Sequence, residues 1–134
     1  MANGALLTNS GVITLLHRGF SESPTITAPT RFKIGTGTNT PDRLNSDLQT
    51  PITSWNASSD YKNYVLDYPV FGTLSETVTV RGFIGASQAN GNVITEYADF
   101  NTDATPLCLS RQVFTGITKS NEIQVYITTT FQRV

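Results

Sequence analysis

Along the last third of the chain, apolar and polar residues exchange places at almost every step. From Glu122 to Val134, Ile123, Val125, Ile127, Thr129 and Phe131 fall on one side of an extended chain, and Gln124, Tyr126, Thr128, Thr130 and Gln132 on the other. Upstream, Leu107, Leu109, Arg111 and Val113 alternate with Cys108, Ser110, Gln112 and Phe114, and Val93 to Phe100 forms another run. Turn residues part the runs at Asn90-Gly91-Asn92, at Asn101 to Pro106 and at Thr118-Lys119-Ser120-Asn121. Period-two alternation bounded by turn formers predicts half-buried β-strands. The chain ends inside the last of them, so its terminus is expected to serve as structure.

The same reading predicts a short strand at Arg31 to Gly35 with Phe32 and Ile34 inward. It also predicts an antiparallel pair, Tyr61 to Phe71 with Leu74 to Gly85, joined near Gly72. In the second of these Val78, Val80 and Ile84 alternate with Thr77, Thr79 and Arg81, while Gly82 and Gly85 suggest a bulge or a tight crossing. The opening segment has a different period. Leu6, Leu7, Val12, Ile13, Leu15, Leu16 and Phe20 fit one helical face, Thr8, Asn9 and Ser10 are candidate N-caps, and Gly19 can close the helix. A short helix over about residues 9–18 follows, weakened by Gly11 and the β-branched Val12 and Ile13. Pro24 and Pro29 make Ser21 to Thr30 an extended connection. Leu44, Leu48 and Ile52 recur at four-residue spacing, which fits either one helical turn or an irregular crossing that pins a loop to the core. The expected fold is all-β, an antiparallel β-sandwich with a short N-terminal helix, in one domain over residues 1–134 whose leader is residues 1–20.

Charged residues make up 14% of the 134 residues, against roughly 25% in ordinary soluble chains. Thr, Ser and Asn fill the gap, which suits strands and turns. The formal net charge is −1 and the nine basic residues are scattered, so a phosphate backbone meets no basic stripe and nucleic acid is not an expected partner. A weakly charged, hydroxyl-rich surface suits packing into a larger assembly better than a monomer kept apart by repulsion. No apolar stretch reaches membrane-spanning length, and Met1-Ala2-Asn3-Gly4 lacks the basic start and long apolar run of a secretory signal; synthesis in the cytosol is expected. Asn56-Ala57-Ser58 matches a glycosylation sequon, without the secretory context that would use it.

Chemistry-bearing patterns are sparse. Cys108 is the single cysteine, so an intrachain disulfide is impossible, and within a strand it reads as a small buried hydrophobe. His17, the single histidine, cannot build a histidine-rich metal site, and beside Arg18 it reads as a solvated or interface residue. Glu96, Asp99 and Asp103 lie close in sequence but lack the Gly and terminal Glu of a calcium loop. The Gly-x-Gly of Gly35-Thr36-Gly37 lacks the following Gly-Lys-Ser/Thr of a phosphate loop and the third Gly of a dinucleotide loop, so it reads as a turn. No catalytic residue, metal ligand or cofactor site is expected. Glu96 stands on a predicted strand among apolar neighbours; its carboxylate is expected to accept hydrogen bonds from a loop backbone and fix that loop, the alternative being a solvated face. Trp55, Tyr61, Tyr64, Tyr68 and Phe71 could form a sugar-stacking platform, or pack a strand edge or a subunit contact.

Three pieces in order carry a family resemblance. Leu6-Leu7-Thr8-Asn9-Ser10-Gly11 leads a short helix. Phe32-Lys33-Ile34-Gly35-Thr36-Gly37-Thr38 follows, with Thr40-Pro41 and Leu44 downstream. Asn90-Gly91-Asn92-Val93-Ile94-Thr95-Glu96-Tyr97-Ala98-Asp99-Phe100 then precedes a long β run holding Lys119. This order resembles the N-terminal module of bacteriophage tail-collar fibre and related virion appendage proteins, where a leader helix, a G-x-G-T loop and an I-x-E-hydrophobic strand recur. Pro51 to Asn90 has no counterpart, Ala98 stands where the family usually has Gly, and a fibre shaft is missing; the expectation is a stand-alone adaptor or decoration protein. The resemblance implies a virion structural protein of tail, collar or baseplate fibre type that acts by assembly, made in the host cytoplasm and located in the virion. It implies a homo-oligomer, a trimer by family analogy, in contact with other virion proteins. A capsid-surface decoration protein and a carbohydrate-binding module for host glycans, using Trp55, Tyr61 and Tyr64, are the alternatives; a small hydrolase on a β scaffold is a third. Candidate contact residues are Leu6, Leu7, Leu15, Leu16 and Phe20 in the leader, with Trp55, Tyr61 and Tyr64.

Overall fold

The structure, a computed structural model, describes residues 5–132. Ten short elements follow one another: β1 (Leu6–Leu7), α1 (Asn9–Phe20), β2 (Arg31–Gly35), β3 (Lys62–Asn63), β4 (Val70–Phe71), a 3₁₀ turn (Thr73–Ser75), β5 (Thr77–Ile84), β6 (Val93–Phe100), β7 (Cys108–Thr118) and β8 (Val125–Gln132). They make a five-stranded sheet in the order β1-β7-β6-β2-β3 and a three-stranded sheet in the order β4-β5-β8, with every pairing antiparallel. The expected all-β sandwich with one short helix is what the chain forms.

The core lies between the sheets. Phe32 and Ile34 of β2 and Tyr97 of β6 meet Val80 and Ile84 of β5 and Val125 of β8, with Trp55 and Tyr64 filling in from the intervening segment. The Phe32 ring stacks on Tyr97 with centroids 5.1 Å apart and leans on Trp55 at 5.6 Å. Gly82 marks the tight crossing: a Cβ there would sit 2.9 Å from Phe32 ring atoms. The β5–β8 pairing through it keeps an unbroken register. The opposite face of the larger sheet carries a second, smaller core of Ala98, Phe100 and Cys108 beneath Leu48 and the half-buried Tyr61. A sheet buried on both faces explains why Ile94 to Phe100 is buried at every residue rather than at alternate ones.

Three expectations need correction. Tyr61 to Phe71 is not one strand. Lys62–Asn63 pairs with β2 in the larger sheet and Val70–Phe71 with β5 in the smaller. Between them the chain turns, with the Tyr68 amide donating to the Val65 carbonyl and Asp67 at φ 73°. A proline at position 69 cannot donate to a ladder, which disfavours one strand continuing across it. The helix runs past Gly19 to Phe20 and closes on Ser21, whose amide donates to the His17 carbonyl. Leu6 and Leu7 belong to β1, paired with Arg111 and Ser110, and not to the helical face. The last strand is described from Val125 to Gln132; Arg133 and Val134 lie outside the described residues.

Candidate assembly surface

The long excursion from Thr36 to Asp60 has little regular structure, yet one carboxylate gathers three of its backbone amides onto the larger sheet. Glu96 on β6 is fully buried. Its Oε1 accepts from the Gly37 amide at 3.1 Å and the Thr50 amide at 2.8 Å, and its Oε2 from the Gln49 amide at 3.1 Å. Arg111, opposite on β7, donates to the same Oε2 from Nε at 3.0 Å and from Nη2 at 2.7 Å. The guanidinium reaches on to Asn45 Oδ1 at 3.1 Å and Asn39 Oδ1 at 2.5 Å. A Cβ on Gly35 or Gly37 would collide with the carboxylate, so both glycines are required where they stand. The Gly-x-Gly loop therefore does cradle an anion, but the anion is Glu96 of its own chain. Burial raises the carboxyl pKa, while the Thr50, Arg111, Gln49 and Gly37 donors outweigh it and hold the group below the ordinary glutamate value. With both oxygens engaged by donors, Glu96 is a latch and not an acid–base group. The expectation that it fixes a loop backbone is met. A second tie, Lys33 to Asp47 at 2.7 Å, holds the same loop.

The other buried acid faces the inter-sheet core. Asp99 accepts from the Tyr64 hydroxyl and from the Ser110 hydroxyl, each at 2.6 Å. Burial raises its pKa against the pull of these donors. Asp103 accepts from the Thr27 amide and from the Asn101 side-chain amide, each at 3.0 Å, and shares no partner with either acid among the described residues. Among the described residues no group of three or more His, Cys, Asp and Glu comes together. Cys108 is buried, with its thiol pushed up to about 12, first by burial and then by Asp99 and Asp47. The His17 ring nitrogen accepts from the Thr25 amide at 3.1 Å and ties the helix to the connection that follows it.

Helix α1 is inside out. Thr8 caps it, accepting from the Gly11 amide at 3.0 Å, and its own amide donates to the Leu109 carbonyl on β7 at 3.0 Å. The helix lies so close to β7 that a Cβ on Gly11 would overlap the Leu109 carbonyl. Only Gly11 and Thr14 are buried in the helix. On a period of about 3.6 residues, Val12, Ile13, Leu16 and Phe20 project to the opposite side. They are exposed, Phe20 by 87%, as is Leu15 on the flank. A helix on a globular protein normally turns its apolar stripe inward. Beside it a cleft of about 720 Å³ opens between α1 and the smaller sheet, lined among others by Leu7, Leu15, Tyr64, Phe71, Val78 and Phe131. Val70 and Phe71, on the short edge strand β4, are also exposed. Among the described residues no helix is long and apolar enough to cross a membrane.

The aromatic group falls elsewhere. Trp55 and Tyr64 are 6% and 8% exposed and belong to the core. The Trp55 indole N–H donates to the Asp60 carbonyl at 2.7 Å. Tyr61 is half-buried, its ring covered by the Arg31 guanidinium 4.0 Å from the centroid. These three rings thus offer no open platform for a sugar, because the sandwich has taken them as filling. Leu6 and Leu7 are half-buried in β1, and Leu15, Leu16 and Phe20 are exposed on α1. Two features carry a signal in the sequence itself. Arg111 stands in an alternating strand where a core residue would fit, one strand away from the equally misplaced Glu96. Phe71 sits next to a glycine at the end of a strand too short to bury it. No family model matches the chain, and searches of curated proteins and of solved structures return no match.

Proposed function

We propose that the chain is a structural protein of a bacteriophage virion, an adaptor of tail, collar or baseplate fibre type, and that it works by assembling with its neighbours and not by catalysis. The observation that carries this reading is the inverted α1, an apolar stripe pointed at solvent from a scaffold that had polar and small residues to spend there. Exposed apolar patches above a few hundred Å² mark interaction sites. At roughly 100–200 Å² per large side chain, Val12, Ile13, Leu15, Leu16 and Phe20 together expose on the order of 500 Å². The sparse charge of the chain adds to this, since adjacent copies or neighbours meet little electrostatic repulsion. The latched Thr36–Asp60 loop fits the same role: a rigid, folded scaffold presents its docking surface without an ordering cost on assembly. The family resemblance in the leader, the Gly-x-Gly loop and the β6 segment supplies the virion setting, as an analogy.

Immunogold electron microscopy of intact phage particles, with antibody raised against the purified chain, tests the reading. Label at the tail, collar or baseplate is expected. Label over the head would move the protein to capsid decoration, and particles that carry neither label nor the protein by mass spectrometry would refute a virion role.

A further inference from the structure

Resting on the assembly reading, we propose the partner of this surface: a second copy of the chain, whose α1 stripe of Val12, Ile13, Leu16 and Phe20 seats in the cleft between α1 and the β4-β5-β8 sheet. Among the described residues, two apolar surfaces have no partner, one convex and one concave. The stripe projects from the helix, while the cleft of about 720 Å³ runs beside it and shares Leu15 with its margin. A copy covers both surfaces at once, whereas a small ligand in the cleft would leave the stripe in water.

The sizes agree. A standard interface buries about 800 Å² on each partner. The stripe with Leu15 supplies roughly 500 Å², and the exposed Phe71 in the cleft wall brings the apolar total to about 600 Å², most of that figure. A cleft of this volume takes several Leu- or Phe-sized side chains. Its walls carry few polar groups that could orient a small molecule, which such a site would need. The Arg18 guanidinium at its edge is committed to the Ile26 carbonyl at 2.8 Å. The stripe side chains Val12, Ile13, Leu16 and Phe20 are themselves uncharged, and the charged residues of the cleft wall are Arg18 and Glu76.

Multi-angle light scattering of the purified chain across increasing concentration reads the outcome, with Phe20→Asp breaking the stripe and Phe71→Asp breaking the cleft. Both side chains are exposed, so both variants are expected to fold, as their melting curves will report. The wild type is expected to form a closed oligomer. Each variant is expected to raise its dissociation constant by about 30-fold or more, the effect of a buried aromatic anchor. Ile123→Asp, on an exposed residue preceding the opposite end of β8 from Phe131, should change nothing. An equimolar mixture of the two variants should recover a mixed species, because the Phe71→Asp copy keeps an intact stripe and the Phe20→Asp copy an intact cleft. A readout that does not depend on stability uses Phe20→Cys and Phe71→Cys on separate molecules: with the native Cys108 buried, oxidation should link the two in a mixture. A wild type that stays monomeric at every concentration would overturn the proposal, as would loss of association in Phe20→Asp with none in Phe71→Asp, which would mean stripe on stripe. Binding of the monomer to phosphatidylcholine vesicles through the stripe would overturn it too. These results are separable from those of the virion reading: a solitary chain found on particles sinks this proposal alone, and an oligomer absent from particles sinks the other alone.

Discussion

Replacing Glu96 by Gln changes one atom and should cost the fold several kcal/mol. The carboxylate accepts five hydrogen bonds, three from the amides of Gly37, Gln49 and Thr50 and two from Arg111. An amide side chain can keep one oxygen. If that oxygen stays with Gly37 and Thr50, the new NH₂ points at three donors, the Gln49 amide and two guanidinium N–H groups. Arg111 is then a buried cation, 1% exposed, with only Asn39 and Asn45 as partners. Breaking one side of a buried ion pair typically costs about 3–5 kcal/mol. For a chain of this length each kcal/mol moves the midpoint by about 3–4 °C, so Tm should fall by roughly 9–20 °C. Urea unfolding at neutral pH measures the loss directly. Acid pH supplies a second check, and its sign is fixed by the direction of the shift. A carboxyl held below its unfolded value contributes stability above that value, about 4.3, and loses it as pH falls through the folded one. The gap between wild type and variant should therefore hold at neutral pH and shrink only as pH falls below about 4.3 toward the lower folded value. A double-mutant cycle with Arg111→Met separates the ion pair from the loop latch: the pair Glu96→Gln/Arg111→Met should recover only part of the loss, because the three loop amides stay badly paired. A Glu96→Gln protein that melts within a degree or two of wild type, at neutral pH, would refute the latch.

Gly11→Ala should destabilise by about 1–3 kcal/mol although Ala favours helix, since the added methyl overlaps the Leu109 carbonyl of β7 and lifts the helix; an unchanged or raised Tm would deny the close docking. Asp99→Asn should be nearly neutral near pH 4 and gain on wild type as pH rises toward 7. A carboxyl whose folded pKa is raised contributes stability below its unfolded value and loses it as pH climbs through the folded one, whereas an amide does not titrate. Urea midpoints across that range that keep a constant gap would contradict a raised pKa.

What the sequence determined by itself was the list of elements. Alternation placed β2, β6 and β8 within a few residues, and Thr8, a candidate cap, does cap α1. Local chemistry settles such features: a strand is read from which side chains alternate, a cap from one hydroxyl next to free amides. The role of Glu96 was one of two readings the sequence left open, and burial decided between them. The sharing of residues 61–71 between two sheets was decided by the tertiary structure alone, because each half pairs with a strand remote in sequence. So was the fate of the aromatic residues: Trp55 is a surface anchor or core filling only according to whether a sheet closes over it. The helix is the sharpest case. Its sequence defines an apolar face, but periodicity carries no information on which way that face turns. Gly11 decides it, by letting the helix approach β7 on its thin side, and so the stripe is left facing water.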